Sequence, residues 1–329
     1  MPSIQHISRE REAINDTIRA FLKGRGYVEV ETPLLVSSPG MEPNLSPFET
    51  TVVEPDGTRH QAGLITSPEY SMKKLLGLGM ERIFTITKVF RNEEELGGTH
   101  SPEFTMLEWY QQGADYRACM DETQEMIQQV QTVLRGESAE GGVVQGDPMV
   151  RVPVRDLFLT HVGINLDTAD TAALREACIR NGIHTSEDDS ESDLFYRLFL
   201  AKIEPQLHAS TFVYDYPMCQ AALSRLTSDG KYGERFELYM DGLEICNGFT
   251  ELTDAKEQRR RFEEEARDRA RLGKKVYPID EEFLALLPSV RTPTFGNALG
   301  IDRLHMALTA RKAIKDVVLF PSRSLFKDS

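Results

Sequence analysis

The chain reads as an α+β fold, in which mainly antiparallel strands carry helices on their outer faces. Three observations predict it. Two β-type runs, residues 82–90 and 103–110, flank one polar loop; a second group of strand patterns follows residue 211; amphipathic helical stretches lie before and between them. The 329 residues carry 38 Lys+Arg against 52 Asp+Glu, a formal net charge of −14, with 40% hydrophobic residues. That suffices for one large domain or two ordinary ones.

Taken in order, Ser8 can cap a helix whose Ile14, Ile18, Phe21 and Leu22 share a face and which Gly24 and Gly26 stop. Residues 27–31 read as a strand ended by Thr32-Pro33. Residues 37–60 read as an extended loop with a short strand or hairpin. Ser67-Pro68-Glu69 starts a helix with Pro at its first position and an acid in its first turn, running to about Leu76. Residues 82–90 and 103–110 form an antiparallel pair with a long connection, and 113–135 are helical. Residues 136–210, with a turn-rich start at 136–148 and an acidic patch at 187–193, read as a helical insertion. Strands resume at 212–214, 234–240 and 243–247. Asp254 with Glu257 forms a capping box for a charged helix to about Leu272. A last strand, 294–299, runs through Gly300 into a helix over 302–310. With no internal repeat and no long linker, residues 1–329 read as a single domain.

Composition excludes several classes. No stretch approaches the ~20 apolar residues of a membrane helix. Residues 1–12 lack an apolar signal core, so the expected location is cytoplasmic. Cys119, Cys178, Cys219 and Cys246 are dispersed without a CxxC pair, against a disulfide framework or a zinc site. The acidic balance weakens a tight nucleic-acid partner. The richest basic run, Arg259-Arg260-Arg261, meets Glu263-Glu264-Glu265 at once, and i,i+4 pairing makes it a solvated helix face.

Four constellations could carry chemistry. Arg91 ends a strand in Phe90-Arg91-Asn92-Glu93, with His100 and Phe104 across the loop; its planar fork can bind a phosphate or carboxylate, or simply pair with Glu93 at the surface. Period-two alternation puts Phe104, Met106, Glu108 and Tyr110 on one strand face, an unusual set for a plain core. Glu237 and Glu244 flank a turn at Asp241-Gly242, so a hairpin could bring them face to face. Two apposed carboxylates call for a proton or a cation, and Mg²⁺ with nucleotide phosphates is the usual solution; a solvent-facing acidic hairpin is the alternative. Asn247, Phe249 and Glu251 then alternate on one face. In the fourth, Gly296 to Gly300 leads into Arg303 in a first helical turn, where N–H groups also favour anions.

In this order the four resemble a class II aminoacyl-tRNA synthetase core of the lysyl branch. Residues 26–33 are similar to its motif 1, Phe90 through Glu108 to motif 2, and Gly296 to Arg303 to motif 3. Thr66-Ser67-Pro68-Glu69 and residues 247–252 match the lysine-recognising segments. The resemblance spans about residues 14–321 and implies an antiparallel sheet flanked by helices, a homodimer through motif 1, and ATP and Mg²⁺ as co-substrate and cofactor. Motif 1 begins about twenty residues from the N-terminus, so no anticodon-binding domain is expected. That architecture resembles stand-alone lysyl-synthetase paralogues that modify a lysine side chain of elongation factor P, with β-lysine as the preferred amino acid.

The resemblance assigns roles residue by residue. Arg91 would grip the α-phosphate and Arg303 the γ-phosphate, as the catalytic pair; Glu237 and Glu244 would hold Mg²⁺. Glu93 would contact adenine and Phe104 stack on it, with His100 near the triphosphate and Asn92, Ser101, Ile245 and Gly300 completing the nucleotide site. Glu69 and Glu108, with Ser67 and Pro68, would meet the backbone amine; Tyr110 and Glu251 the distal one; Asn247 the carboxylate; Phe249 the stem. Departures are a motif 2 loop one residue longer, Ser101 where Asn is common, and Ala298 at the central Gly of motif 3, whose methyl would crowd an α-lysine backbone. Two alternatives stand beside the ligase: a truncated lysyl-tRNA synthetase-like enzyme acting on tRNA, and a non-catalytic paralogue with a regulatory role.

Overall fold

The structure, a computed structural model, describes residues 3–136, 148–221 and 223–326. The turn-rich stretch expected at 136–148 falls almost wholly outside these residues.

Helix α1 (Ile4–Gly24) begins earlier than Ser8. Ser3 caps it, its Oγ accepting from the His6 N–H, because Ile7 extends the buried stripe of Ile14, Ile18, Phe21 and Leu22 by a turn. The strand expected over 27–31 shrinks to β1 (Val28–Glu29), since only Val28 and Glu29 find register partners, Ile83 and Phe84. Strands β2 (Leu35–Val36), β3 (Glu49–Val53) and β4 (Arg59–Leu64) form a small sheet in the order β2-β4-β3, with the expected hairpin between β3 and β4. In α2 (Glu69–Gly77) Pro68 is the cap residue rather than the first helical one, and Ser67 Oγ accepts from the Glu69 N–H at 3.0 Å.

Strands β5 (Arg82–Phe90) and β6 (Glu103–Gln112) pair antiparallel, and α3 (Tyr116–Leu134) follows. Next come β7 (Val150–Pro153), α4 (Val154–His161), α5 (Thr171–Arg180) and α6 (Glu191–Leu198). These helices bury their own core, with Phe158, Leu174, Phe195 and Phe199 meeting Tyr216 and Tyr239 of the sheet. The chain then adds β8 (Thr211–Pro217), β9 (Tyr232–Met240), β10 (Leu243–Thr250), α7 (Ala255–Arg271), α8 (Glu281–Leu286), β11 (Thr294–Gly300), α9 (Ile301–Leu308) and α10 (Ser322–Leu325).

The large sheet has eight strands in the order β1-β5-β6-β11-β10-β9-β8-β7. Its interior pairs are antiparallel, and parallel pairs close both edges. Alternation divides its residues. Leu107, Trp109, Phe236, Leu238 and Leu299 face α1 and α3 and form the main core. Met106, Glu108, Tyr110, Glu237 and Ala298 face the other way, and there the site is built.

Two local expectations change. Asp254 accepts from the Lys256 and Glu257 N–H groups, but the Glu257 carboxylate pairs with Arg260 and Arg261, so the capping box is only half formed. Arg260 and Glu264 do form a solvated i,i+4 pair, whereas Glu265 turns inward and lines a cavity.

Candidate active site

A cavity of about 770 Å³ opens on the free face of the sheet. Arg91, at the end of β5, and Arg303, in the first turn of α9, both line it. Arg91 Nε is buried without a partner, and its guanidinium lies 5.2 Å from the Phe104 ring centroid. Arg303 donates to the Glu244 carbonyl at 3.2 Å and approaches His100 Nε2 at 2.8 Å. Burial and the Arg303 charge lower the His100 pKa, so the ring is neutral and can accept. Two guanidinium groups are therefore aimed into one cavity; among the described residues no carboxylate hydrogen-bonds to either, and the Glu244 carboxylate stands 3.6 Å from Arg303.

Ser101, Phe104, Ile245, Asn247, Ala298 and Gly300 line the same cavity. Ser101 Oγ sits 2.7 Å from Ser322 Oγ, which ties the loop after β5 to α10. Asn92 and Glu93 are outside it. Both are exposed; Glu93 has a positive φ of 62° and accepts from Ser46 Oγ at 2.5 Å, while its neighbour Glu94 faces the cavity. The acidic patch at 187–193 supplies part of the rim through Asp188, Asp189 and Asp193.

Glu237 and Glu244 are not directly apposed. A bulge between Glu244 and Cys246 puts Glu237 opposite Asn247 and Glu244 opposite Tyr239, though both carboxylates reach the cavity. Glu237 is fully engaged: Oε1 accepts from Arg235 at 2.6 Å, and Oε2 from Tyr216 at 2.5 Å and Tyr239 at 2.6 Å. Glu244 stays open, with Arg303 3.6 Å away, and burial plus repulsion from Glu237 raise its pKa. Among the described residues no three His, Cys, Asp or Glu side chains gather as a metal cage. The donor set suits Mg²⁺ in one way: a single open carboxylate, Glu244, backed by Glu237 and completed by phosphate oxygens.

The residues expected to meet the amines form a separate, closed cluster. Glu108 accepts from Ser67 Oγ at 2.5 Å and from the Tyr110 hydroxyl at 2.8 Å. Between Glu69 and Glu251 stands Lys73, its Nζ 2.5 Å from a carboxylate oxygen of each and 5.2 Å from the Phe249 ring centroid. Lys73 is 1% exposed at its side chain. Burial would lower its pKa, but the Glu251 and Glu69 charges outweigh burial and raise it. Burial, then repulsion from Glu69, pushes Glu108 up to about 8; burial, relieved by Lys73 but reinforced by Glu69, puts Glu251 at about 8. Ser67 and Glu69 also line a smaller cavity of about 230 Å³, and Glu42 borders both cavities.

Sequence reasoning missed Lys73, Glu42, Arg235 and Glu265. Lys73 had a signal, since it lies four residues after Glu69 on one helix. Arg235 had one too, sharing a strand face with Glu237.

Backbone approach is tight where β11 passes the cluster. A Cβ on Gly296 would collide with the Glu251 carboxylate and the Tyr110 ring. Gly296→Ala is therefore expected to cost about 1–3 kcal/mol of stability and to weaken binding of the amino acid more than of ATP, as urea unfolding and ligand titration would register. Unchanged stability and amino-acid affinity would contradict the packing.

A family model described as tRNA synthetases class II (D, K and N) matches residues 1–324. The chain is 38% identical over 325 residues to a Proteus mirabilis protein named elongation factor P–(R)-beta-lysine ligase, covering 97% of this chain and 95% of that one. Proteins of the same name from Pectobacterium atrosepticum and Salmonella typhi are 41% identical over 318 residues and 39% over 321, each covering 94% of this chain and 93% of the relative.

Proposed function

We propose a function on one premise: the chain belongs to the class II tRNA synthetase family of the D, K and N enzymes. It is an ATP-dependent ligase that activates lysine, with β-lysine preferred, as an aminoacyl-adenylate and transfers it to a lysine side chain of elongation factor P. The names of its close relatives support that acceptor. The observation that carries the chemistry is the convergence of Arg91 and Arg303 on one cavity with the open carboxylate of Glu244.

Adenylation needs positioning and charge neutralisation more than covalent help. The amino-acid carboxylate attacks the α-phosphorus in line and pyrophosphate leaves. Arg91 holds the α-phosphate, and Arg303, oriented by His100, holds the γ-phosphate. Phe104 stacks on adenine, and Glu93 reaches its edge once the loop turns it away from Ser46. Glu244, with Glu237 behind it, would hold Mg²⁺, which when bound would supply positive charge to the phosphates. Asn247, whose Oδ1 accepts from Arg235 Nε at 3.0 Å, presents its amide toward the amino-acid carboxylate.

The amine cluster matches a dicationic substrate by charge. Glu69, Glu108 and Glu251 against Lys73 leave two negative charges when all are ionised, the number two ammonium groups balance. Glu69 and Glu108 take the amine nearer the carboxylate; Glu251 and Tyr110 take the distal one. The Ala298 methyl, opposite Glu108 and Asn247 in the sheet, narrows the space for an α-lysine backbone. A homodimer through residues 26–33 and a cytoplasmic location complete the proposal. Among the described residues no helix is long and apolar enough to cross a membrane.

The acceptor is tested by incubating enzyme, ATP and radiolabelled lysine or β-lysine with either elongation factor P or tRNA. Label should enter the protein. Label on tRNA instead would overturn the assignment in favour of a synthetase-like enzyme.

A further inference from the structure

Among the cavity carboxylates that activation does not use, Glu42 and Glu265 stand apart. Glu42, on the loop before β3, borders both cavities, and Glu265 projects from α7 into the larger one. Oε2 of each is buried and has no hydrogen-bond partner among the described residues. Burying such an atom unpaired is costly, so a native structure that does so has a use for it. The buried Arg269 donates no hydrogen bond to them. Arg269 spends its guanidinium on the carbonyls of Glu42 at 2.7 Å, Leu45 at 2.9 Å and Lys275 at 2.7 Å, which fixes the loop and leaves both carboxylates facing the cavity. At Gly40 (φ +148°) a side chain would come within 2.6 Å of Glu42 Oε2, so the turn is shaped around that carboxylate.

We propose that Glu42 and Glu265 receive the ε-ammonium of the acceptor lysine and that Glu265 takes its proton, an inference that rests on the ligase reading above. An ammonium suits the pair better than a metal ion. It offers three N–H donors to carboxylates that lack donors, whereas no third metal-ligating side chain joins them among the described residues. The amino-acid substrate has its own anionic cluster, so its two ammonium groups are already matched. Location favours the acceptor as well. Asp268, Arg271 and Leu272, exposed on α7, line the same cavity beside Glu265, so a side chain arriving from solvent passes this wall.

The acceptor enters as an ammonium; one N–H bond breaks, its proton goes to Glu265 Oε2, and the electron pair stays on nitrogen. That pair forms the C–N bond to the adenylate carbonyl carbon. The bond from that carbon to the phosphate oxygen breaks, its pair leaving on AMP, and the nitrogen gives its second proton to solvent as the amide forms.

Glu265 is faced by Arg261 and Asp268 from its own helix, by Glu42 from the loop and by Glu69 and Tyr70 from α2; Glu42 also feels Arg91 and Arg269. Burial, then Glu42 and Glu69, pushes Glu265 to about 8. Only its ionised form accepts a proton, so transfer should rise with pH through about 8 and then level off. Without it, the lysine must deprotonate unaided, and the rate should keep climbing toward an ordinary lysine pKa of about 10.4.

The test uses Glu265→Gln and Glu42→Gln in the full chain. Transfer from preformed adenylate to elongation factor P is compared with pyrophosphate exchange across pH, and with transfer to hydroxylamine, a nucleophile that is neutral at pH 7. In Glu265→Gln the ratio of protein transfer to exchange should fall about 100-fold at neutral pH, a general-base-sized loss, and recover in alkali. The hydroxylamine ratio should hold, and Glu42→Gln should show the same pattern more weakly. Exchange and transfer falling together, hydroxylamine transfer falling equally, or an unchanged ratio would each overturn the inference while leaving the ligase reading intact. Absence of exchange in the wild type would instead remove the ligase reading and this inference with it.

Discussion

Arg303→Ala is expected to lower amino-acid-dependent pyrophosphate exchange by about 10³-fold or more, the size associated with losing a guanidinium that stabilises phosphoryl charge. Two hydrogen-bond contacts, to the Glu244 carbonyl and to His100, hold its fork, so the side chain is preorganised for an anion. Removing it also strips Glu244 of its nearest cation, at 3.6 Å. Arg303→Lys keeps the charge but loses the planar fork, and an intermediate loss is expected. Thermal unfolding should move little in either variant, because neither contact holds the core. Intact exchange in Arg303→Ala would show that the triphosphate lies elsewhere.

Lys73→Met carries the largest stability effect. The ammonium is buried between two carboxylates, and deleting one partner of a buried ion pair typically costs about 3–5 kcal/mol because the remaining charge has no solvent to turn to. The pH dependence has a definite sign. Lys73 has a raised folded-state pKa, so it stays charged throughout pH 5 to 9 and its own titration changes nothing there. What varies is its partner Glu251, held at about 8 chiefly by burial, which takes up a proton as pH falls through about 8 and then no longer needs the cation. The gap between wild type and Lys73→Met should therefore be wide near pH 9 and narrow toward pH 5. Urea denaturation across that range measures it, and a gap independent of pH would mean that Lys73 acts by packing alone.

Much of the fold was legible because its signals are local. The β5–β6 pair, the β9–β10 hairpin and the helix after Gly300 each follow from alternation, a turn and a start signal within a few residues. Alternation also placed Glu108 and Tyr110 on the face where they hydrogen-bond to each other. What stayed hidden depends on partners distant in sequence. The bulge that slides Glu244 past Glu237 is a matter of strand register, which residue types alone do not specify. Lys73 looks like any helix-surface lysine until Glu251, on another element, closes over it. Glu265 sits in a run that pairs convincingly on paper; only the packing of α7 turns it inward while Glu264 stays in solvent with Arg260. Glu93 carries the right chemistry but faces Ser46 in this structure, because a loop side chain is not held by a periodic pattern.

In the proposed function the cavity joins ATP to a diamino acid before any acceptor takes part. ATP–pyrophosphate exchange, run with the purified protein and no acceptor, tests it most directly. Exchange should depend on lysine or β-lysine, run faster with β-lysine, and vanish in Arg91→Ala and Arg303→Ala. Absence of exchange with both isomers, from a protein that still binds ATP, would contradict the account and favour a non-catalytic paralogue.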